Sequence, residues 1–170
     1  MQLRADRPDV WYAEEALGGV GPAEVAFLKE RASASPRLRA RICLHENIAA
    51  PVHEMVIVHH RSCYVRPARH PHKRETITAL EGRAAAILFD DMGTVGETRV
   101  LDAESGPSLW RVPTNVWHAL VILSEWFVFY EVSAGPWQPS ASEFPAWAPE
   151  DVEPAAAEYI ERLRMRLAVA

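Results

Sequence analysis

The sequence predicts a mainly β protein, an antiparallel sandwich or barrel, with one short helix before it and one after it. Between residues 38 and 132, short apolar runs alternate with turns, and no helical pattern separates them. Many short strands at this spacing are typical of antiparallel two-layer folds. The 170 residues suffice for one domain, and a chain of this size buries about 70% of its unfolded surface without needing disulfides.

The N-terminal extension, residues 1–33, contains the first predicted helix, at residues 22–32. Pro22 suits a first helical position, and apolar residues recur after it at helical spacing. The pattern ends at Ser35-Pro36, because a proline disfavours helical geometry in the residue before it.

The barrel segment, residues 34–134, contains the strongest strand signals. The clearest apolar runs lie at residues 41–44, 54–59, 84–89, 116–123 and 126–132. A further strand is predicted at residues 75–80, before the Glu81-Gly82 turn. Residues 91–96 have the composition of a hairpin turn, with two glycines that tolerate positive φ.

Residues 135–170 are predicted to hold a Pro/Trp-rich segment and a C-terminal helix. Four prolines and two tryptophans between positions 135 and 149 favour an irregular chain that lies on the barrel. Pro154 suits the start of the helix. An apolar stripe on this helix is formed by Ala156, Tyr159, Ile160, Leu163 and Leu167. We expect the stripe to pack on the barrel or on a partner subunit.

Composition argues against several classes of function. Eighteen basic and 23 acidic residues give a net charge of -5, which argues against general affinity for nucleic acid or anionic membranes. No apolar run approaches the ~18–20 residues of a membrane helix, and the first ten residues lack the apolar core of a secretion signal. We therefore expect a cytoplasmic protein in which Cys43 and Cys63 are free and buried. The sequence has no P-loop, dinucleotide-binding glycine motif or Gly-x-Ser-x-Gly elbow.

Imidazoles and one carboxylate are concentrated around a predicted turn. His70 precedes this turn and Glu75 begins the next strand, so a hairpin can bring the two side chains together. The third candidate ligand is His118, which follows another turn and lies at the start of a strand. Two nitrogen ligands and one carboxylate suit Zn, Ni, Mn or Fe(II) and leave positions for water or substrate.

The same residues resemble the two motifs of the cupin superfamily. His70, Glu75 and Gly82 have the spacing of the second half of the first motif, and Gly106, Pro113 and His118 match the second. Asn115 stands where that motif usually has glycine.

A closer resemblance is to the WbuC-type cupin-fold metalloproteins, which are found among bacterial surface-polysaccharide genes. Six segments match in order: SPRLRAR from position 35, YVRPARHP from 64, LFDD from 88, PTNVWH from 113, EVSAGP from 131 and WAPE from 147. The resemblance covers roughly residues 34–163. It implies a cupin double-stranded β-helix, a jelly-roll barrel, with a divalent metal inside one end.

One departure from the family affects the metal site. The family's first metal histidine falls at Ala68, whose methyl group cannot coordinate. Three alternatives follow. His70, Glu75 and His118 bind the metal with water completing the coordination, or His72 supplies the missing ligand, or the site is metal-free and the fold serves binding or packing.

Three further residues are candidates for ligand binding. Strand alternation places Tyr64 and Arg66 on the face of His70, where Tyr64 would donate a hydrogen bond and Arg66 would neutralise an anion. Packing and an ion pair are the respective alternatives. Glu131 ends an apolar strand, and either a pocket acid or base or a salt-bridged strand end fits that position.

Other polar residues near these positions have less specific interpretations. Arg69, Lys73 and Arg74 are expected to form a solvated rim, and Trp117, opposite His118, is expected in the core. His53 and His59 share one strand face and would enlarge the polar site if that face were inward.

The resemblance implies a WbuC-like metalloprotein that binds a small polar ligand: a sugar, a sugar nucleotide or a carboxylate. In an enzyme, the metal would polarise a carbonyl or hydroxyl group or activate water, which fits isomerisation, epimerisation or oxygen chemistry in surface-polysaccharide metabolism. The rival is a non-catalytic small-ligand-binding cupin with a degenerate or metal-free site, so the sequence leaves enzymatic activity open. A homodimer formed by sheet packing, assisted by the terminal helices, is compatible with the resemblance.

Overall fold

The computed structural model describes residues 1–15, 18–151 and 153–168. Two α-helices lie in these ranges, α1 (Pro22–Ala34) and α2 (Pro154–Ala168). The strands are β1 (Leu3–Arg7), β2 (Val10–Ala13), β3 (Arg39–Cys43), β4 (Val52–His60), β5 (Glu75–Glu81), β6 (Arg83–Phe89), β7 (Val95–Asp102), β8 (Leu109–Val112), β9 (Trp117–Ile122) and β10 (Trp126–Ala134). The six strands expected from apolar runs therefore exist, with ends shifted by one or two residues.

The strands form two facing sheets. The larger sheet has the order β1-β2-β3-β4-β10-β5-β8 and the smaller one β7-β6-β9. The pairs are antiparallel except for β2 with β3. This mainly β, two-sheet architecture agrees with the sandwich or barrel that the strand pattern predicts and with the double-stranded β-helix that the cupin resemblance implies. The strands β1 and β2 extend the larger sheet from within the N-terminal extension, which was predicted to contain only a helix.

The central strand β4 is buried on both faces. Its outward residues Val56 and Val58 pack with Leu28 and Ala32 of α1. Its inward residues Met55 and Ile57 pack in the barrel core. Because both faces are covered, β4 has a continuous apolar run rather than a clean polar–apolar alternation.

The helix α2 covers the outside of the smaller sheet. Its residues Ala156, Ile160 and Leu163 pack with Ala85, Ile87, Ala119 and Val121 in a second apolar cluster, which also contains Trp117 as expected. The Arg164 guanidinium donates to the carbonyl oxygen of Arg61 at 2.6 Å. The stripe on α2 thus packs on the barrel.

The interior of the barrel differs at its two ends. One end is filled by apolar side chains from both sheets, among them Phe127, Ile122 and Leu101. The other end is a cavity of about 680 Å³ with polar walls. Cys43 and Cys63 are buried and form no disulfide, as predicted. Among the described helices, none has the length and apolar character of a membrane span.

Candidate metal centre

The structure brings the three predicted ligands together at the polar end of the barrel. His70 lies in the irregular segment between β4 and β5, Glu75 begins β5 and His118 lies on β9 of the opposite sheet. Their exposed fractions are 7%, 7% and 9%. One ligand atom from each lies within 4.8 Å of the others. The side chains of His70 and Glu75, on either side of one turn, therefore meet that of His118 from a distant strand.

Both imidazoles direct the same nitrogen toward the carboxylate. The Nε2 atom of His70 lies 3.3 Å from Glu75 Oε2, and that of His118 lies 3.7 Å from it. At the far side of each ring, His118 Nδ1 donates to the Val116 carbonyl oxygen at 2.9 Å. His70 Nδ1 lies 3.1 Å from both the Ala141 carbonyl oxygen and Ser142 Oγ. With a metal bound, backbone acceptors at Nδ1 would keep the ring proton there and leave each Nε2 lone pair for coordination.

This donor set fits a divalent metal ion. Two Nε2 lone pairs and a carboxylate oxygen are electron-rich groups, so a cation bound between them would stabilise their convergence. Two imidazoles and one carboxylate are ligands of Zn, Fe, Ni and Mn sites.

Asn115 helps to place His118. It adopts a left-handed conformation with φ 58, and its backbone N–H donates to the His70 carbonyl oxygen at 2.9 Å. Glycine is common in such a turn because it has no Cβ, and asparagine tolerates the geometry better than most residues. The turn before β9 therefore ties the two histidines together despite the missing glycine.

Lys73 lies at the centre rather than on the predicted solvated rim. Its Nζ is 2.6 Å from Glu75 Oε1, and its side chain is 18% exposed. Burial acts to raise the pKa of Glu75, but hydrogen bonds from His118 and His70 and the charge of Lys73 outweigh burial and hold that pKa well below its usual range. Arg74 is exposed, and Arg69 pairs with Glu143 at 2.6 Å outside the cavity.

Position 68, where the family resemblance implies a fourth metal ligand, lies directly opposite His118. Ala68 and His118 form an antiparallel bridge, in which each backbone N–H donates to the other residue's carbonyl, at 3.1 and 2.9 Å. Ala68 lines the cavity. A side chain at position 68 would therefore lie beside His118, because directly opposed residues have neighbouring Cβ atoms.

Two sequence expectations are corrected here. Tyr64 does not line the cavity: its ring is buried in the cluster under α2, and its hydroxyl donates to the Pro149 carbonyl oxygen at 2.9 Å. The alternation argument fails because the segment from Tyr64 to His70 is not a continuous strand. His72 is exposed and does not line the cavity, so it is not placed to replace the missing ligand.

The other two candidate ligand-binding residues do line the cavity. Arg66 lies at its mouth, where it donates to the Pro145 carbonyl oxygen at 2.7 Å and lies 3.7 Å from Glu150. Glu131 forms part of the wall, and no salt bridge reaches it from the described residues. Burial, followed by the charge of Glu75, raises the pKa of Glu131 to about 8. Burial therefore favours the protonated form of the Glu131 carboxyl group.

Three more histidines line the cavity. His53 and His59 occupy the inward face of β4, the orientation that enlarges the polar site, and His45 follows β3. The rings of His45 and His53 are stacked, with centroids 4.2 Å apart. His59 contacts Phe129 edge-on at 5.1 Å. Sequence reasoning did not single out His45, since its position after β3 becomes informative only once β3 and β4 are paired.

Comparisons with known proteins agree with the fold. A family profile described as a domain of unknown function, DUF6016, matches residues 22–101. No curated protein matches the sequence. Among solved structures, CapF bound to the inhibitor 3-isopropenyl-tropolone is 12% identical, with a TM-score of 0.55 over 65% of this chain and 32% of that chain.

Two further structures show a similar level of likeness. The capsular polysaccharide assembling protein CapF from Staphylococcus aureus is 10% identical, with a TM-score of 0.53 over 62% of this chain and 31% of that chain. An uncharacterised Klebsiella pneumoniae protein with a double-stranded β-helix domain is 18% identical, with a TM-score of 0.48 over 63% of this chain and 79% of that chain. This chain thus spans about a third of each CapF chain. The fold is that of the cupins, and its barrel holds a buried His–Glu–His group with the ligand types of a metal site.

Proposed function

We propose that this cupin-fold protein is a WbuC-like metalloprotein in which His70, Glu75 and His118 hold a divalent Zn, Ni, Fe or Mn ion. The observation that carries the proposal is the convergence of two Nε2 atoms on Glu75 Oε2, at 3.3 and 3.7 Å, inside a buried site. The proposed ligand is a small polar molecule, a sugar, a sugar nucleotide or a carboxylate, bound in the adjoining cavity.

The chain's own residues supply the rest of the site. When bound, the metal would polarise a ligand carbonyl or hydroxyl group or activate water. Glu131, with its pKa raised to about 8, would offer a proton-bearing carboxyl group from the wall, and Arg66 would contact a charged ligand at the mouth. Isomerisation, epimerisation or oxygen chemistry fits this arrangement, and the fold alone does not choose among them.

The link to surface-polysaccharide metabolism is part of the proposal. It rests on the six WbuC-like segments and is compatible with the description of CapF as a capsular polysaccharide assembling protein. We further propose a cytoplasmic protein, a homodimer formed through the sheets, and a barrel at residues 34–134 flanked by the two terminal regions.

A metal-free binding protein is the second candidate, and Lys73 favours it. The ammonium group of Lys73 already supplies a positive charge to Glu75 at 2.6 Å, and Ala68 removes one family ligand. In this alternative the pocket binds a small ligand without catalysis. Loss of Lys73 would leave a buried carboxylate without its lysine partner and destabilise the protein by about 1–3 kcal/mol.

Metal content separates the two candidates. The protein is purified without a chelating tag, and bound metals are quantified in the native protein and in His118→Ala, with His60→Ala as a control outside the cavity. We expect about one metal per chain, lost in His118→Ala and kept in His60→Ala. Lys73→Met should then tighten metal binding, because it removes a competing cation. A native protein that binds none of the four metals would overturn the proposal and support the metal-free alternative.

A further inference from the structure

A second polar region lies in the same cavity, on the side formed by β3 and β4. Arg41 of β3 pairs with Ile57 of β4, and both line the cavity. Ala40 and Ile42, the residues on either side of Arg41 in the sequence, instead pack under α1. Strand alternation therefore directs the Arg41 guanidinium into the barrel.

Arg41 differs from the other cations of the cavity wall in its charge balance. The other five, Arg7, Arg37, Arg39, Arg66 and Lys73, each have a carboxylate within 3.7 Å. Among the described residues, Arg41 has no carboxylate at ion-pair distance, and its Nε, like those of Arg37 and Arg66, is buried without a hydrogen-bond partner. A buried donor on a charged group is costly to leave unpaired.

Two stacked imidazoles, His45 and His53, lie farther along the same cavity wall. His45 Nδ1 lies 3.1 Å from both the backbone nitrogen and the carbonyl oxygen of Glu54. His53 Nε2 donates to the Ile48 carbonyl oxygen at 3.2 Å. Each ring therefore has one nitrogen committed to backbone and one left for a ligand. Both rings line the cavity, and His53 lies four residues along β4 from Ile57, the strand partner of Arg41.

The acids of the cavity do not offset Arg41. Asp6, Asp9 and Glu75 pair with Arg7, Arg37 and Lys73 respectively. The remaining wall acid, Glu131, makes no ion pair with Arg41 among the described contacts. Among the described residues, Arg41 is thus the cation of the cavity wall without a carboxylate at ion-pair distance.

We propose that Arg41, with His45 and His53 farther along the same wall, is an oxyanion subsite that binds a carboxylate or phosphate group of the ligand. A guanidinium matches the geometry of either group through paired N–H donors. Strand β3 lies three strands from β5 in the larger sheet, and the strand register places Arg41 level with Ala79, four residues from Glu75. The backbones of the two sites are therefore about 20 Å apart. The ligand would therefore carry an anionic group at one end and reach the His70–Glu75–His118 centre with the other. That second contact rests on the proposed metal function, whereas anion binding at Arg41 does not.

The test measures anion binding to the metal-free protein in EDTA. Inorganic phosphate and malonate are the probes, with sodium chloride at matched ionic strength as the reference. Binding is followed by calorimetry and by the arginine Nε–Hε signals of the ¹⁵N-labelled chain. The variants are Arg41→Gln, Arg37→Gln, whose arginine is already paired with Asp9, and Arg111→Gln, an exposed arginine outside the cavity.

We expect saturable binding of phosphate or malonate that shifts the signal missing from Arg41→Gln. Arg41→Gln should weaken binding about 10- to 100-fold, the loss typical of a charge-assisted contact. Arg37→Gln and Arg111→Gln should change it less than about threefold. The probe that saturates at the lower concentration identifies the anion class.

Three results would overturn the subsite: no response beyond that to chloride, unchanged binding in Arg41→Gln, or equal weakening in Arg111→Gln. Arg41→Lys is the control for a folding defect. It keeps the positive charge but loses the paired N–H donors of the guanidinium group, so it should bind the anion with intermediate affinity. Because metal is removed throughout, a failed metal proposal and a failed anion subsite give separate results.

Discussion

Two groups of imidazoles line one cavity and differ in what lies beside them. His70 and His118 converge on Glu75, with Nε2 to Oε2 distances of 3.3 and 3.7 Å. His45 and His53 are stacked face to face at 4.2 Å, with an interplanar angle of 6°. The first pair directs nitrogens at a shared point, whereas the second pair shares ring faces.

The difference shows that a carboxylate, not the number of histidines, distinguishes the group with the ligand types and spacing of a metal site. Within the described residues, only His70, Glu75 and His118 form a group with metal-ligand spacing. Stacked rings cannot direct two lone pairs to one ion. Their place in the cavity wall instead suits contact with a ligand.

Removing the Glu75 carboxylate should have the largest effect on the difference in metal binding between the two groups of histidines. Glu75→Gln keeps the side-chain shape and removes the charge, so we expect metal affinity to fall about 100-fold or more, beyond the loss of an outer-shell contact. His53→Gln should leave metal affinity within about twofold, because that ring lies outside the ligand group. Competition with a chelating dye measures both. Equal losses in the two variants would contradict the distinction.

His59 provides a pH-dependent test, as a cavity imidazole without a carboxylate. Burial, followed by the charge of Arg39, lowers its pKa from 6.5 to about 3. Between pH 6.5 and 3, His59 is therefore protonated in the unfolded chain but not in the folded chain. The free energy of unfolding consequently decreases as the pH falls through this range. At pH 5 the expected loss is about 2 kcal/mol.

Urea unfolding of native protein and His59→Phe between pH 8 and 5 checks this expectation. The variant should show a shallower decline in unfolding free energy below pH 6.5, and the two proteins should respond alike from pH 8 to 7. Comparing slopes removes any fixed change in stability. Parallel curves down to pH 5 would mean that His59 is protonated in the fold.

Adding a histidine at position 68 should increase the metal affinity of the His70–Glu75–His118 group. Ala68→His places an imidazole directly across the bridge from His118, so metal affinity should rise about tenfold or more as the site gains a fourth ligand. Ala68→Asn, which is polar but a poor ligand for these metals, is the matched control. Unchanged affinity in Ala68→His would mean that position 68 does not face the centre.

The smallest expected effect is at the outer contact of His70. Ser142→Ala removes the hydroxyl group 3.1 Å from His70 Nδ1 and leaves the Ala141 carbonyl oxygen in place. Metal affinity should fall only about threefold, since one of two outer partners remains. The exposed neighbour Ser140 offers the control Ser140→Ala. A loss as large as that in Glu75→Gln would make Ser142 a ligand rather than a positioning residue.

The ligand group could be predicted from sequence because local spacing encodes it. His70 and Glu75 flank one turn, and His118 lies at the start of a clear apolar strand. Lys73 could not be placed in the same way, because the turn geometry, not the sequence spacing, directs its ammonium group to Glu75. Tyr64 was misplaced because its segment lacks the regular alternation of a strand.

Most of the barrel could also be predicted, except where tertiary pairing replaces local pattern. The first strand, Leu3–Arg7, has the sequence LRADR and little apolar periodicity, and it pairs with β2 at the sheet edge. The inward face of β4 was ambiguous because apolar residues cover both sides. Only the position of α1 over Val56 and Val58 assigns His53 and His59 to the cavity.

A crystal structure of metal-loaded protein with anomalous data at the metal edge would test the central claim most directly. We expect one strong peak about 2.0–2.2 Å from His70 Nε2, His118 Nε2 and a Glu75 carboxylate oxygen. An empty position there, with Lys73 Nζ still on Glu75, or a peak bound by other side chains would contradict the claim.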